Sequence, residues 1–273
     1  MSQRSPWPTR RLFDVRIDAL SMTDVVGAVA TAIETRERLL IGVVNAAKMV
    51  KMQRDSALRR AVLGADMILA DGMSVVWASR LVRAPLPERV AGIDLMVRIL
   101  ELCNEKKYRV FCFGATEEVL ASLRSVIAHD YPGVQLVGAR NGYYDASEEP
   151  AIAEQIAESK ADVLFVGMTS PRKEMFLANW CDTMGVPVCH GVGGAFDVLA
   201  GKVRRAPHLV QRAGMEWAFR VAQEPRRLAK RYIDTNSVFI GMLAREKYRD
   251  LKTRLFGKRT NKDPWKRVRT DHH

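Results

Sequence analysis

Most of the signals that assign a function at first sight are missing from this chain. No run reaches the ~18 apolar residues that a membrane-spanning helix needs, so any contact with a membrane is expected at its surface. The opening MSQRSPWPTRRLFDV has no apolar stretch of the kind a secretory signal requires. Cysteine is scarce: Cys103, Cys112, Cys181 and Cys189 form no CxxC pair. That argues against a zinc site or a disulfide framework and for reduced, buried thiols. Neither GxGxxG after a first strand nor GxxxxGK[ST] occurs, which disfavours a classical dinucleotide fold and a P-loop NTPase. There is no DxD triplet, internal repeat or low-complexity segment.

What the chain has is charge, unevenly placed. Of 273 residues, 48% are hydrophobic and 27% charged, and the net charge is +12. Residues 1–200 hold 23 Lys+Arg against 24 Asp+Glu, whereas residues 201–273 hold 20 against 7. A near-neutral body therefore carries a basic appendage. The boundary at 200 divides an expected α/β core, 1–200, from a helical appendage, 201–273, whose last residues read as a disordered basic tail.

Six short apolar runs alternate with helical patterns through the body. LLIGVVN (39–45), DMILA (66–70), YRVFCFGA (108–115), VQLVGA (134–139), ADVLFVGM (161–168) and VPVCHGVG (186–193) read as buried strands. Between them, Val25, Val29, Ala32 and Ile33 share one helical face behind a start signal at Ser21 and Asp24, and Thr116 opens another helix. Strands alternating with helices predict an α/β fold, Rossmann-like, with a mainly parallel sheet covered on both faces. After residue 200 the pattern is helical only, with Pro225 interrupting one helix and starting the next.

In a parallel sheet, ligands bind beyond the carboxyl ends of the strands. Asn45, the pair Asp71-Gly72, Gly114, the segment from Gly167 through Lys173 and Glu174, and the turn Gly193-Gly194-Ala195-Phe196-Asp197 all follow predicted strands. The glycine-rich turn suits close approach of backbone amides to a phosphate. Asp71 reads either as a cap for the helix beginning at Met73 or as a reactive carboxylate. Arg89 reads as an exposed arginine or as the edge of a site, and Asp94 as a cap of the helix that follows.

Five motifs in order, ADGMSVVWASR, ERVAGIDLM, VGMTSPRKEMF, GVGGAFDVLAGKVRRAP and GMEWAFRVAQEPRRLAKRY, resemble those of the WecG/TagA/CpsF glycosyltransferases, family 26. The resemblance covers residues 39 to about 240. It implies an inverting, metal-independent hexosyltransferase without a cofactor. The enzyme would move a sugar from a UDP-sugar to a polyprenyl-diphosphate-linked saccharide at the inner membrane face, in surface or exopolysaccharide synthesis. It implies Asp71 as general base, with Asn45 and Arg89 as catalytic partners. It places Gly114, Tyr143, Gly167, Lys173, Glu174, Gly193, Gly194, Phe196 and Asp197 around the nucleotide sugar. Two positions depart from the family pattern: Val43 replaces a threonine and Lys173 a glutamine.

On this reading the basic appendage docks a cytoplasmic protein on an anionic membrane surface. Each Lys or Arg there contributes about 1 kcal/mol. Arg204, Arg205, Arg212, Arg220, Arg226, Arg227 and Arg231 are candidates to bind the lipid diphosphate, and Trp217 to sit at the headgroups. An apolar face left open before closure favours a homo-oligomer. The alternative from another class is nucleic-acid binding through the same basic region. The helices carry no known reading motif, so nucleic acid is not the expected partner.

Overall fold

The computed structural model describes residues 6–212, 214–223 and 225–256, without the side chains of 208, 212, 220, 223, 225–233, 250 and 253–256. The side chains of Arg212, Arg220, Arg226, Arg227 and Arg231, and the basic tail from residue 257, thus lie outside the described residues.

A hairpin of β1 (Thr9–Leu12) and β2 (Val15–Asp18) leads into α1 (Met22–Thr35). The body continues as β3 (Leu39–Val44), α2 (Ala46–Met52), α3 (Ser56–Leu63), β4 (Met67–Ala70), α4 (Met73–Leu81) and α5 (Gly92–Lys106). There follow β5 (Arg109–Gly114), α6 (Glu117–Asp130), β6 (Gln135–Arg140), α7 (Glu149–Glu158), β7 (Val163–Gly167), α8 (Arg172–Met184), β8 (Val188–Gly191) and α9 (Ala195–Leu199). Three helices close the chain: α10 (His208–Arg212), α11 (Glu216–Gln223) and α12 (Pro225–Phe256).

All six expected strands form, within two residues of their predicted ends at most positions. They make one six-stranded sheet in the order β4-β3-β8-β7-β5-β6, every pairing parallel. Side-chain alternation splits each strand between two hydrophobic clusters. Leu40, Val44, Phe111, Phe113, Leu164 and Val166 enter one, and Leu39, Ile41, Val110, Cys112, Val163 and Phe165 the other. Burial on both faces explains why these strands read as continuous apolar runs. The capping box at Ser21 and the Thr116 cap form as the sequence implies.

The hairpin is the element that the sequence does not announce. It guards the edge strand β4: Asp18, buried, accepts the Ile68 amide at 2.7 Å, and Arg16 donates to the carbonyls of Ala65 and Asp66. Its turn residue Phe13 meets Phe239 of α12 edge to face, with ring centroids 5.2 Å apart. Phe239 is itself buried in the first cluster, so α12 is seated on the body at this point. Among the described residues no helix is long and apolar enough to cross a membrane.

Candidate active site

The carboxyl ends of β3, β4, β7 and β8 bring the candidate residues together. Asn45 follows β3 and caps α2, its Oδ1 accepting the Lys48 amide at 3.0 Å. That leaves its Nδ2 to donate to Asp71 Oδ2 at 3.2 Å. Asp71 follows β4. It does not cap the helix beginning at Met73: Gly72 holds the cap position with no side-chain hydrogen bond. Asp71 Oδ1 instead accepts the amide of Gly92, the first residue of α5, at 2.9 Å. The chain reaches that position because the segment before α5 pairs with the end of β4, Val90 donating to the Ala70 carbonyl at 2.9 Å. A helix N-terminus and an asparagine amide thus hold the carboxylate, each oxygen keeping a lone pair for a third partner.

Beneath Gly92 lies His190 of β8, fully buried, with Nε2 3.1 Å from the Gly92 carbonyl. Burial holds its imidazole down at about 4, so the ring is neutral at neutral pH. The carbonyl can only accept, so Nε2 carries the proton. His190 was not singled out in the sequence, where a lone histidine in an apolar strand reads as core.

A second unforeseen feature is a buried ion cluster. Lys48 Nζ lies 2.7 Å and Lys173 Nζ 2.9 Å from Glu174 Oε1, and Lys48 also donates to the Val43 carbonyl at 2.7 Å. Burial, helped by the charge of Lys173, pushes the Lys48 ammonium below its usual range. Burial works to raise the Glu174 carboxyl too, but the two ammonium groups prevail and hold it at about 2. The cluster reaches the glycine-rich turn: a Cβ on Gly193, whose φ is +59°, would lie 3.9 Å from Lys173 Nζ. Lys173 and Glu174 thus pair with each other beneath that turn.

Gly114 and Gly167 lie at the ends of β5 and β7, where a Cβ on Gly114 would come within 2.5 Å of the Gly167 backbone. A Cβ on Gly167 would in turn come within 2.3 Å of the Phe196 ring. Phe196 is fully buried and supports the turn from below, while Gly194 is exposed and Asp197 half-buried. Tyr143 is 74% exposed. Its neighbour Tyr144 packs on Phe113 and Phe176 and carries the Arg172 guanidinium 3.9 Å from its ring centroid.

Arg89 is not an exposed arginine, and Asp94 does not cap α5: Ala91 holds the cap position without a side-chain hydrogen bond, and Asp94 lies inside the first turn, facing two arginines. Arg89 sits 3.3 Å from Asp94 and 3.1 Å from Glu216 of α11. Arg205 sits 2.5 Å from the same Asp94 and 3.6 Å from the same Glu216. Two guanidiniums and two carboxylates thereby tie α11 and the segment before α10 to the N-terminal turn of α5. Arg204 is exposed, and Trp217 is 41% exposed.

The chain matches the Glycosyl transferase WecG/TagA/CpsF family over residues 10–253. It belongs to that family. The match is wider than the motif-bearing stretch 39–240 and takes in the hairpin strand β2 and most of α12. Among curated relatives, an N-acetylglucosaminyldiphosphoundecaprenol N-acetyl-beta-D-mannosaminyltransferase of Bacillus spizizenii is 38% identical over 163 residues, 60% of this chain and 63% of that protein. A protein of the same description from Bacillus subtilis is 35% identical over 182 residues, 67% of this chain and 70% of that protein. The alignment thus leaves over a third of the Bacillus spizizenii protein unmatched.

Proposed function

We propose that the protein is an inverting hexosyltransferase that moves a sugar from a UDP-sugar to a polyprenyl-diphosphate-linked saccharide. The names of both relatives make N-acetylmannosamine the first donor sugar to test and a GlcNAc-diphosphate-polyprenol the first acceptor. The observation that carries this reading is the double hold on Asp71, by the Gly92 amide and the Asn45 side chain, at the carboxyl edge of the sheet.

A sugar hydroxyl is a weak nucleophile at neutral pH. Asp71 accepts its proton as the oxygen bonds to the anomeric carbon, an assistance that contributes typically about 10²–10⁴-fold. The bond from that carbon to UDP breaks on the opposite face, and the configuration inverts. Negative charge grows on the departing diphosphate, where preorganised donors stabilise it most. The amides of the Gly193-Gly194 turn, with Lys173 beneath them, are one source. Arg89 and Arg205 are the other, once their carboxylate partners give way to phosphate oxygens. In this account the reaction is metal-independent.

Exposed Leu209, Met215, Trp217, Ile240, Tyr248 and Leu251 and the basic C-terminal region support docking on an anionic membrane surface, with residues 201–273 as the docking appendage. The test is UDP release in EDTA from a panel of UDP-sugars with the polyprenyl acceptor. Release that requires the acceptor and prefers UDP-N-acetylmannosamine is expected. Release that depends on added divalent metal removes the metal-free account, and absence of both release and UDP binding removes the transferase.

A further inference from the structure

Helix α4 is apolar on two opposite sides. Val75, Val76 and Ala78 turn inward and are buried. Met73, Trp77 and Leu81 recur every four residues and share the outer side. Trp77 is 46% and Leu81 49% exposed. Single exposed apolar residues are ordinary, but two large ones in succession along one helix side form a patch. The patch continues beyond α4. A Cβ on Gly214 would lie 2.8 Å from the Met73 Cβ and 2.9 Å from the Trp77 ring, so the turn before α11 rests on this side of the helix. Met215, next in the chain, is exposed, and its amide donates to the Val210 carbonyl at 3.0 Å, one residue from exposed Leu209.

Position, charge and continuity select what covers this strip. α4 begins two residues after Asp71. Along its axis Trp77 lies about 6 Å and Leu81 about 12 Å from Met73. In a lipid-linked acceptor whose hydroxyl meets Asp71, a sugar ring and a diphosphate come before the first isoprene, a span of the same order. The sequence of α4, MSVVWASRL, has no acidic residue. Arg80 and, just past the end of the helix, Arg83 are exposed and form no ion pair among the described residues. A strip that is apolar, positive and free of carboxylates suits a hydrocarbon chain that carries phosphate. Exposed Met215 and Leu209 belong to the surface proposed above to dock on the membrane, and α4 prolongs that surface as far as the candidate base.

We propose that the outer side of α4, with Trp77 and Leu81 at its centre, seats the first isoprene units of the acceptor's polyprenyl chain. The inference rests on the glycosyl-transfer reading and adds to it a place for the lipid. The chain leaves the bilayer beside Met215, lies along Leu81 and Trp77, and delivers its diphosphate and sugar to Asp71. The enzyme thereby holds the acceptor by its chain as well as by its charged head. Preference for a prenylated acceptor over one with no chain follows from apolar burial on this strip, not from the bilayer.

The test uses the full-length protein without detergent or vesicles. Acceptors are GlcNAc diphosphates esterified with methyl, geranyl or farnesyl groups, each below the concentration at which it forms micelles. KM for the farnesyl acceptor is expected to be lower than for the methyl one by at least about tenfold, as burial of even a few methylenes gives. Trp77→Ser and Leu81→Ser are expected to bring the two within about twofold, with rates on the methyl acceptor unchanged. Trp77 also backs the turn at Gly214, so Leu81→Ser is the deciding variant. Calorimetry with farnesyl diphosphate and methyl diphosphate reads the seat without any transfer, and Leu81→Ser is expected to weaken only the former. Absence of transfer to every acceptor removes the glycosyl-transfer reading, and calorimetry then still decides the seat. Equal KM for methyl and farnesyl acceptors in the wild type, or a wild-type ratio kept in Leu81→Ser, overturns the proposal. So does a loss in Leu81→Ser confined to assays with anionic vesicles, which gives the strip to the bilayer. A dimer that Leu81→Ser dissociates while keeping the ratio gives it to a second copy and overturns the proposal too.

Discussion

Asp71 and His190 hold opposite ends of one residue. Gly92 donates its amide to Asp71 Oδ1 at 2.9 Å, and its carbonyl lies 3.1 Å from His190 Nε2. The histidine therefore fixes the peptide that fixes the candidate base. Replacing it by leucine removes the side-chain donor to the Gly92 carbonyl, leaving only the donors of the helix itself, and lets the start of α5 shift. Misplacement of a catalytic group by about 1 Å costs on the order of 10²-fold. For His190→Leu we expect kcat to fall about ten- to a hundredfold with KM for the donor nearly unchanged. Glutamine, which can still donate, is expected to restore part of the loss. Steady-state kinetics of the two variants checks this, and equal losses in both remove the positioning role.

The same histidine makes stability depend on pH. Its folded value of about 4 lies below the ordinary 6.5. The folded state therefore resists a proton that the unfolded chain binds. Stability is complete above about pH 6.5 and falls as pH drops toward 4, by roughly 3 kcal/mol across that window. Glu174, held at about 2 against an ordinary 4.5, adds a second loss, from pH 4.5 downward. Urea unfolding between pH 7 and 4 measures the first limb, and His190→Gln is expected to flatten it.

Glu174 also answers for two buried lysines. Removing one partner of a buried ion cluster typically costs about 3–5 kcal/mol, because the other charges remain. We expect Glu174→Gln to lower the unfolding free energy by about that much and Lys48→Met in the same chain to recover part of it. Chemical denaturation of the single and double variants decides between this coupling and independent effects.

Six strands were legible because each is buried on both faces and so appears as an unbroken apolar run. The hairpin was not. TRRLFDVRID alternates charge with Leu12, Val15 and Ile17, and its turn uses Phe13 and Asp14 at φ of 52° and 61° rather than glycine. Asn45 and Asp71 were legible as polar residues directly after apolar strands. His190 and the Lys48–Glu174 pair were not, since their partners lie 98 and 126 residues away in the chain. Local pattern carries no record of such distances. Arg89 was legible as a candidate, but its pairing with Glu216, 127 residues on, was not.

Gly214 governs how α11 reaches that partner. Its φ is +70°, and a Cβ there would lie 2.8 Å from the Met73 Cβ and 2.9 Å from the Trp77 ring. Neither the backbone nor the neighbours can absorb a methyl group. Gly214→Ala is expected to displace α11, break the Arg89–Glu216 contact and cut activity at least tenfold, while the unfolding midpoint of the body moves little. Activity and calorimetry on one preparation test this. A loss of overall stability matching the loss of activity contradicts it.

The central claim is that Asp71 takes the acceptor proton. The direct measurement is acceptor-dependent UDP release by Asp71→Asn beside UDP binding by calorimetry. The account predicts a kcat lower by about 10²–10⁴-fold with UDP affinity within about twofold of wild type. A variant that binds UDP as tightly and turns over within tenfold of wild type contradicts it.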